Sequence, residues 1–309
     1  MTRVLIVLPS SSYRVADFVA AAKMLRAETV IATNAAQAMA GDMAYPLVRI
    51  DPRDPEWSAG RIVEFAQRFP LDAVVAADEE GVVMAAVAAR ELGLPHNPPE
   101  AVRVTRDKAA MRQVFADAAL PQPLFRVIGA DDDPVAACSE VGFPCVVKPV
   151  SLSASRGVVR VDGMAEVADT VARIRTIMAE AGRDPGEPIL AESFVSGTEV
   201  ALEGLLVDGH LEVLALFDKP DQLDGPFFEE TIYPAPSQLA SDLQERIAGT
   251  AEQAATALDA AYTNMNSGYS EELIAVDINL AMEHIGSILG KTFAEDLLDK
   301  IFGEFCIGK

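Results

Sequence analysis

The run Cys145-Val146-Val147-Lys148-Pro149, followed by Ser151-Leu152-Ser153-Ala154-Ser155-Arg156-Gly157, decides how this chain is read. The first five residues have the apolar, β-branched texture of a strand, and the serines beyond Pro149 mark a turn. Residues 157–161 read as a return strand. A lysine inside such a strand is costly to bury without an anionic partner, because its ammonium loses hydration. The loop beyond it supplies hydroxyls, backbone N–H groups and the Arg156 cation, a set able to close over phosphates. The same residues also describe an ordinary hairpin whose lysine snorkels to water.

Working outward, a helix over residues 164–180 leads to strands at 189–195, 199–207 and 211–217. The turn Val207-Asp208-Gly209-His210 is short, so these strands form an antiparallel sheet with helices packed on one side. A helix begins at Thr105-Arg106-Asp107-Lys108, with Asp or Thr as N-cap, and another spans residues 239–258. Lys108 sits where helix N–H groups favour anions, although most lysines at such places are only solvated. Glu192 and Glu199 flank a turn between strands. They are placed either to accept hydrogen bonds from an amino group and from sugar hydroxyls, or simply to face solvent at a strand end.

Upstream, apolar runs at residues 4–8, 29–33, 47–50 and 73–77 alternate with helix-like segments at 15–26, 61–69 and 82–92. That alternation predicts a parallel sheet flanked by helices, ending near Pro98. No G-x-G-x-x-G follows the first strand, so the layout is Rossmann-like without the dinucleotide fingerprint. Downstream of Asp259, residues 260–270 are polar and read as a linker. Leu273, Val276, Leu280, Ile285 and Ile288 then recur at helical spacing, and Phe293, Leu297, Leu298, Ile301 and Phe302 form a second apolar face after Gly290. The expected shape is a short helical hairpin.

Composition narrows the function classes. The 309 residues carry a formal net charge of −22, a surface that phosphate backbones would repel, which argues against nucleic-acid partners. Half the residues are hydrophobic, so the chain is folded. Cys138, Cys145 and Cys306 show no metal-site spacing and fit free thiols in a reducing cytoplasm. No apolar segment approaches the roughly 20 residues of a membrane helix. His96, His210 and His284 lie scattered.

In their order, Lys108, Lys148, the serine-rich loop, Glu192 and Glu199 resemble the ATP-grasp carboxylate–amine ligases over about 250 residues. Val146-Val147-Lys148-Pro149, Glu192-Ser193-Phe194-Val195-Ser196-Gly197-Thr198-Glu199 and Phe217-Asp218-Lys219-Pro220 with Gly225-Pro226-Phe227-Phe228-Glu229-Glu230 carry the resemblance. It implies an α/β chain: a Rossmann-like pre-ATP-grasp lobe over residues 1–104, an incomplete α+β ATP-grasp domain over 105–259, and a linker and helical tail over 260–309. It also implies that Lys108 and Lys148 contact ATP phosphates, with Lys219 on the phosphate or acyl-phosphate side. Ser151, Ser153, Ser155, Arg156 and Gly157 would form the flap. Glu192 would meet the adenine amino group, the backbone of Ser193 and Val195 the rest of the ring, and Glu199 the ribose. ATP would phosphorylate an unidentified carboxylate, and an amine would then displace phosphate.

The chain departs from this pattern in two places. Ala154 stands where similar chains often have Gly. The late strands whose acidic residues hold Mg²⁺ do not follow the 239–258 helix, and Asp277 and Asn279 read as solvated helix positions. Without those ligands phosphoryl transfer would be slowed, and the sheet would have an exposed edge. The tail, through Glu271-Glu272-Leu273-Ile274-Ala275-Val276-Asp277 to Phe305-Cys306-Ile307-Gly308-Lys309, instead resembles the end of the tRNA-modification GTPases. No G-x-x-x-x-G-K-[ST] accompanies it, so neither GTPase activity nor a role for Cys306 follows. A chimera joined near Asp259 accounts for both resemblances. Three functions remain open: an impaired ATP-binding ligase fragment, a working ligase with metal ligands from other positions or a partner chain, and a scaffold that binds through its tail.

Overall fold

A computed structural model describes residues 2–10, 15–35, 46–207, 209–221, 224–228, 232–263 and 274–278. Two compact units emerge, one built mainly from Met1–Arg106 and the other mainly from Asp107–Ala261.

In the first unit, strands β1 (Arg3–Val7), β2 (Glu28–Thr33), β3 (Leu47–Arg49) and β4 (Ala73–Ala76) lie parallel in the order β3-β2-β1-β4. Helices α1 (Val15–Met24), α2 (Pro55–Ala66), α3 (Val82–Glu91) and α4 (Pro99–Thr105) complete it. The continuous apolar run of β1 follows from burial on both faces. Leu5 and Val7 join Val30, Ile62, Met84 and Val87 on one side, while Ile6 and Leu8 join Phe18, Ala22 and Ile31 on the other. Helix α2 starts at Asp54, whose carboxylate accepts from the Trp57 N–H, with Pro55 pre-set for the first turn.

The second unit opens with α5 (Lys108–Asp117), capped by Asp107 through the N–H groups of Ala109 and Ala110. Strand β5 (Phe125–Ile128), α6 (Pro134–Val141), β6 (Cys145–Pro149), β7 (Val159–Val161), α7 (Met164–Glu180) and β8 (Ile189–Ser193) follow. These strands form an antiparallel sheet in the order β5-β8-β6-β7. Val167, Ile174 and Met178 recur at helical spacing along α7 and are fully buried against Cys145, Val147, Val161, Ile189 and Ala191. Burial at this level contributes about 1.5–3 kcal/mol per large aliphatic side chain. Cys138 and Cys145 are buried free thiols, as their spacing predicts; Cys306 lies outside the described residues.

Strands β9 (Glu199–Val207) and β10 (His210–Lys219) form the expected antiparallel hairpin, turning through Gly209 at φ +76°. Helix α8 (Ser241–Thr263) then runs past the expected end at residue 258, because Ala260 and Ala261 are strong helix formers. Residues 274–278 correct another expectation. Their spacing suggests a helix, yet Ile274–Ile278 is strand β11, hydrogen-bonded beside β9 in the order β10-β9-β11. Five residues, four of them apolar, are too few for periodicity to distinguish the two. Asp277 therefore lies in a strand rather than at a solvated helix position, and β9 has a neighbour at the edge expected to be open. Asn279 and the rest of the expected hairpin lie outside the described residues.

Candidate nucleotide site

Alternation along β6 and β8 sorts their side chains by face. Cys145 and Val147 on β6, with Ile189 and Ala191 on β8, turn into the core under α7. Val146 pairs with Glu192 and Lys148 with Leu190, so these four share the opposite face. Lys148 and Glu192 are diagonal neighbours there, and the Lys148 ammonium donates to Glu192 Oε2 at 2.5 Å.

Glu192 has a second cation that the sequence reading did not single out. Arg112 Nε donates to Glu192 Oε1 at 2.6 Å, across 80 residues of chain. All three side chains are nearly sealed from water, at 10% exposure for Arg112, 7% for Lys148 and 5% for Glu192. Burial by itself would push the Glu192 carboxyl up, but the charges and hydrogen bonds of Lys148 and Arg112 outweigh it and hold the group at about 2. Together the three side chains carry one net positive charge, which suits an anion.

Lys108 and Arg112 are four residues apart on α5 and so project from one side of the helix. The Lys108 ammonium donates to the Leu152 carbonyl at 2.5 Å, and its backbone N–H to the Val150 carbonyl at 3.3 Å. These contacts tie the helix start to the segment just beyond Lys148. Within the expected flap, the Ser151 hydroxyl donates to Glu187 Oε2 at 2.6 Å. The Ser153 carbonyl accepts from both the backbone and the Nε of Arg156. Ala154, Ser155 and Gly157 all take left-handed backbone conformations, with φ of +64°, +48° and +78°.

The expected adenine and ribose residues divide. Ser193 is tied to Leu124, donating its N–H to that residue's carbonyl and accepting from its N–H at the hydroxyl. Val195 is exposed. Glu199 and Lys219 face each other directly across β9 and β10, and the Lys219 ammonium donates to Glu199 Oε2 at 3.2 Å. Lys219 is almost wholly buried and also lies over the Tyr233 ring at 5.7 Å. The lysines and carboxylates read separately from the sequence are thus joined in pairs, Lys148 with Glu192 and Lys219 with Glu199.

Among the described residues, no three His, Cys, Asp or Glu side chains gather as candidate metal ligands. Among the described residues, no helix is long and apolar enough to cross a membrane.

The ATP-grasp N-terminal domain family matches residues 19–96, and the ATP-grasp domain family matches residues 141–267. The chain is 26% identical over 271 residues to an alanine–anticapsin ligase of Bacillus subtilis, covering 81% of this chain and 57% of that protein. It thus spans little more than half of the curated ligases it matches. The crystal structure of an L-amino acid ligase from Bacillus licheniformis superposes with a TM-score of 0.66 at 27% identity, covering 84% of this chain and 60% of that one. The N5-carboxyaminoimidazole ribonucleotide synthetase of Thermus thermophilus shares the fold, with a TM-score of 0.60 at 21% identity over 83% of this chain and 64% of that one. A second family, the MnmE helical domain, matches residues 231–306. There the chain is 43% identical over 58 residues to the tRNA modification GTPase MnmE of Thermosipho melanesiensis, 19% of this chain and 13% of that protein. The chain thus matches two ATP-grasp family models over separate stretches, and its C-terminal part matches the model of an unrelated family.

Proposed function

We propose that this protein binds ATP on the Lys148–Glu192 face of its second unit and derives from ligases that join a carboxylate to an amine. In that reaction the γ-phosphoryl group of ATP passes to a carboxylate oxygen, giving an acyl-phosphate and ADP. The amine then attacks the acyl carbon and phosphate leaves. The carrying observation is the convergence of Arg112 and Lys148 on Glu192 within the second unit, most of which the ATP-grasp domain family matches. In this reading Lys108 and Lys148 meet the phosphates, the loop from Ser151 through Ser153, Ser155 and Arg156 to Gly157 covers them, and Lys219 serves the acyl-phosphate side. Glu192, with the backbone of Ser193 and Val195, receives adenine, and Glu199 receives ribose. The protein works in the cytoplasm, and amino acids are the first substrates to try, since the first relatives named above are amino-acid ligases.

We read phosphoryl transfer as slow, because the MnmE-like match begins at residue 231 and overlaps the end of the ATP-grasp match, where the family's metal ligands are expected. The join near Asp259 would then be a fusion, which sequencing the source DNA across it would test. One observation favours a working ligase instead: β11 places Asp277 in a strand beside β9. Calorimetry with Mg-ATP tests the binding, and no heat of binding at millimolar nucleotide would end the proposal. ADP release with paired amino acids separates the two readings. Release abolished in Asp277→Asn would favour the working ligase, and no release above buffer would favour the impaired one.

A further inference from the structure

We propose that Arg112 is a positioning residue of the nucleotide site: it fixes the Glu192 carboxylate as an acceptor for a purine amino group and so sets the preference for an aminopurine over an oxopurine nucleotide. The inference rests on the ATP reading above and adds a specificity determinant to it.

The geometry is that of a carboxylate held from both ends. Arg112 takes Oε1 at 2.6 Å and Lys148 takes Oε2 at 2.5 Å, so the plane of the group is set by two cations on different elements. Each oxygen has a further lone pair with which to accept. Arg112 is itself fixed. Asp107 caps its helix, and Gln122 Nε2 donates to the Arg112 carbonyl at 2.9 Å. With a cation on each oxygen, Glu192 is held as a carboxylate, which can only accept. Such a group welcomes the amino group of adenine and repels the carbonyl oxygen at the same place on guanine.

Lys148 cannot do this alone, because in the ATP reading the phosphates draw on that ammonium. When Lys148 turns towards phosphate, Arg112 is the cation that still holds Glu192. Arg112 acts through Glu192 and touches no reacting atom.

The test is calorimetry with Mg-ATP and Mg-GTP on the full chain and on the Arg112→Lys, Arg112→Gln, Glu192→Gln and Glu192→Gln/Arg112→Gln variants. Arg112→Gln should weaken ATP binding about tenfold while leaving GTP nearly unchanged, and Arg112→Lys should fall between it and the wild type. In the Glu192→Gln background, adding Arg112→Gln should change the ATP-to-GTP ratio by less than about twofold. If Arg112→Gln does not fold, Arg112→Lys and the double variant, which buries no unpaired carboxylate, carry the comparison. An unchanged ratio in the Arg112 variants, whether both affinities fall together or neither falls, overturns the proposal. A ratio change that persists without Glu192 also overturns it. Wild-type protein that binds no ATP overturns both this inference and the function it rests on, whereas wild-type binding with an indifferent Arg112 overturns this inference alone.

Discussion

Lys148 and Glu192 lie one diagonal step apart on adjacent antiparallel strands, with ammonium and carboxylate 2.5 Å apart on the face away from the α7 core. The pair exists because strand alternation sends both side chains to that face while Val147 and Ala191 enter the core. Sealed from water, neither charge would be tolerable alone.

This relationship predicts an acid transition. Glu192 falls from an ordinary 4.5 to about 2 on folding, so the unfolded chain takes up its proton first as pH drops. Its stabilisation is fully present above about 4.5 and is lost as pH falls towards 2. The shift corresponds to something on the order of 3 kcal/mol. Urea midpoints measured between these pH values should fall less steeply in Glu192→Gln than in the wild type. Parallel slopes would show that the carboxylate does not have the environment described.

Removing the lysine separates stability from binding. In Lys148→Ala, Arg112 still compensates Glu192, so the loss should be modest, about 1–3 kcal/mol, below that of an ion left wholly unpaired. The rise in melting temperature with Mg-ATP should vanish in the same variant. A thermal-shift titration checks both, and an undiminished ATP-dependent rise would remove Lys148 from the site.

How much of this was legible in the sequence depends on how local each signal is. Both faces of β1 are apolar and α7 repeats at helical spacing, so these elements could be read directly. Helices α4 and α6 were missed because each is short, starts at a proline and shows little of a periodic face. Lys148 stood out as a charge inside an apolar strand. Arg112 did not, because a single arginine within a polar helix reads as solvated and its partner lies 80 residues away. Its four-residue spacing from Lys108 was the available clue. The pairing of Glu199 with Lys219 depends on strand register, which residue types alone do not determine.

Gly204 lies in the same hairpin, where β9 and β10 approach closely. It pairs with Val213, beside the irregularity between Val213 and Ala215. A Cβ there would lie 2.8 Å from the Glu212 carbonyl oxygen and 2.8 Å from Leu211 Cδ1. Backbone cannot swing aside as a side chain can, so Gly204→Ala should cost about 1–3 kcal/mol in urea unfolding. If the variant unfolds with the wild type, the hairpin is looser than the structure describes.

The expected flap offers a test of backbone strain. Ala154 has φ +64° and Ser155 follows at +48°, both left-handed and neither glycine. Such a conformation costs an L-residue about 1–2 kcal/mol, chiefly through its Cβ. Ala154 is exposed, so a substitution changes backbone preference with little loss of packing. Ala154→Gly removes the steric cost and should hold or raise stability by about 0.5–1 kcal/mol, even though the unfolded chain gains freedom. Ala154→Val adds a β-branch where φ is positive and should lower stability by about a further 1 kcal/mol. The order Gly, Ala, Val in thermal melting is therefore the expected result. Val matching or exceeding Ala would mean that this backbone is not left-handed, and the loop would lose the curl that brings Arg156 back onto the Ser153 carbonyl.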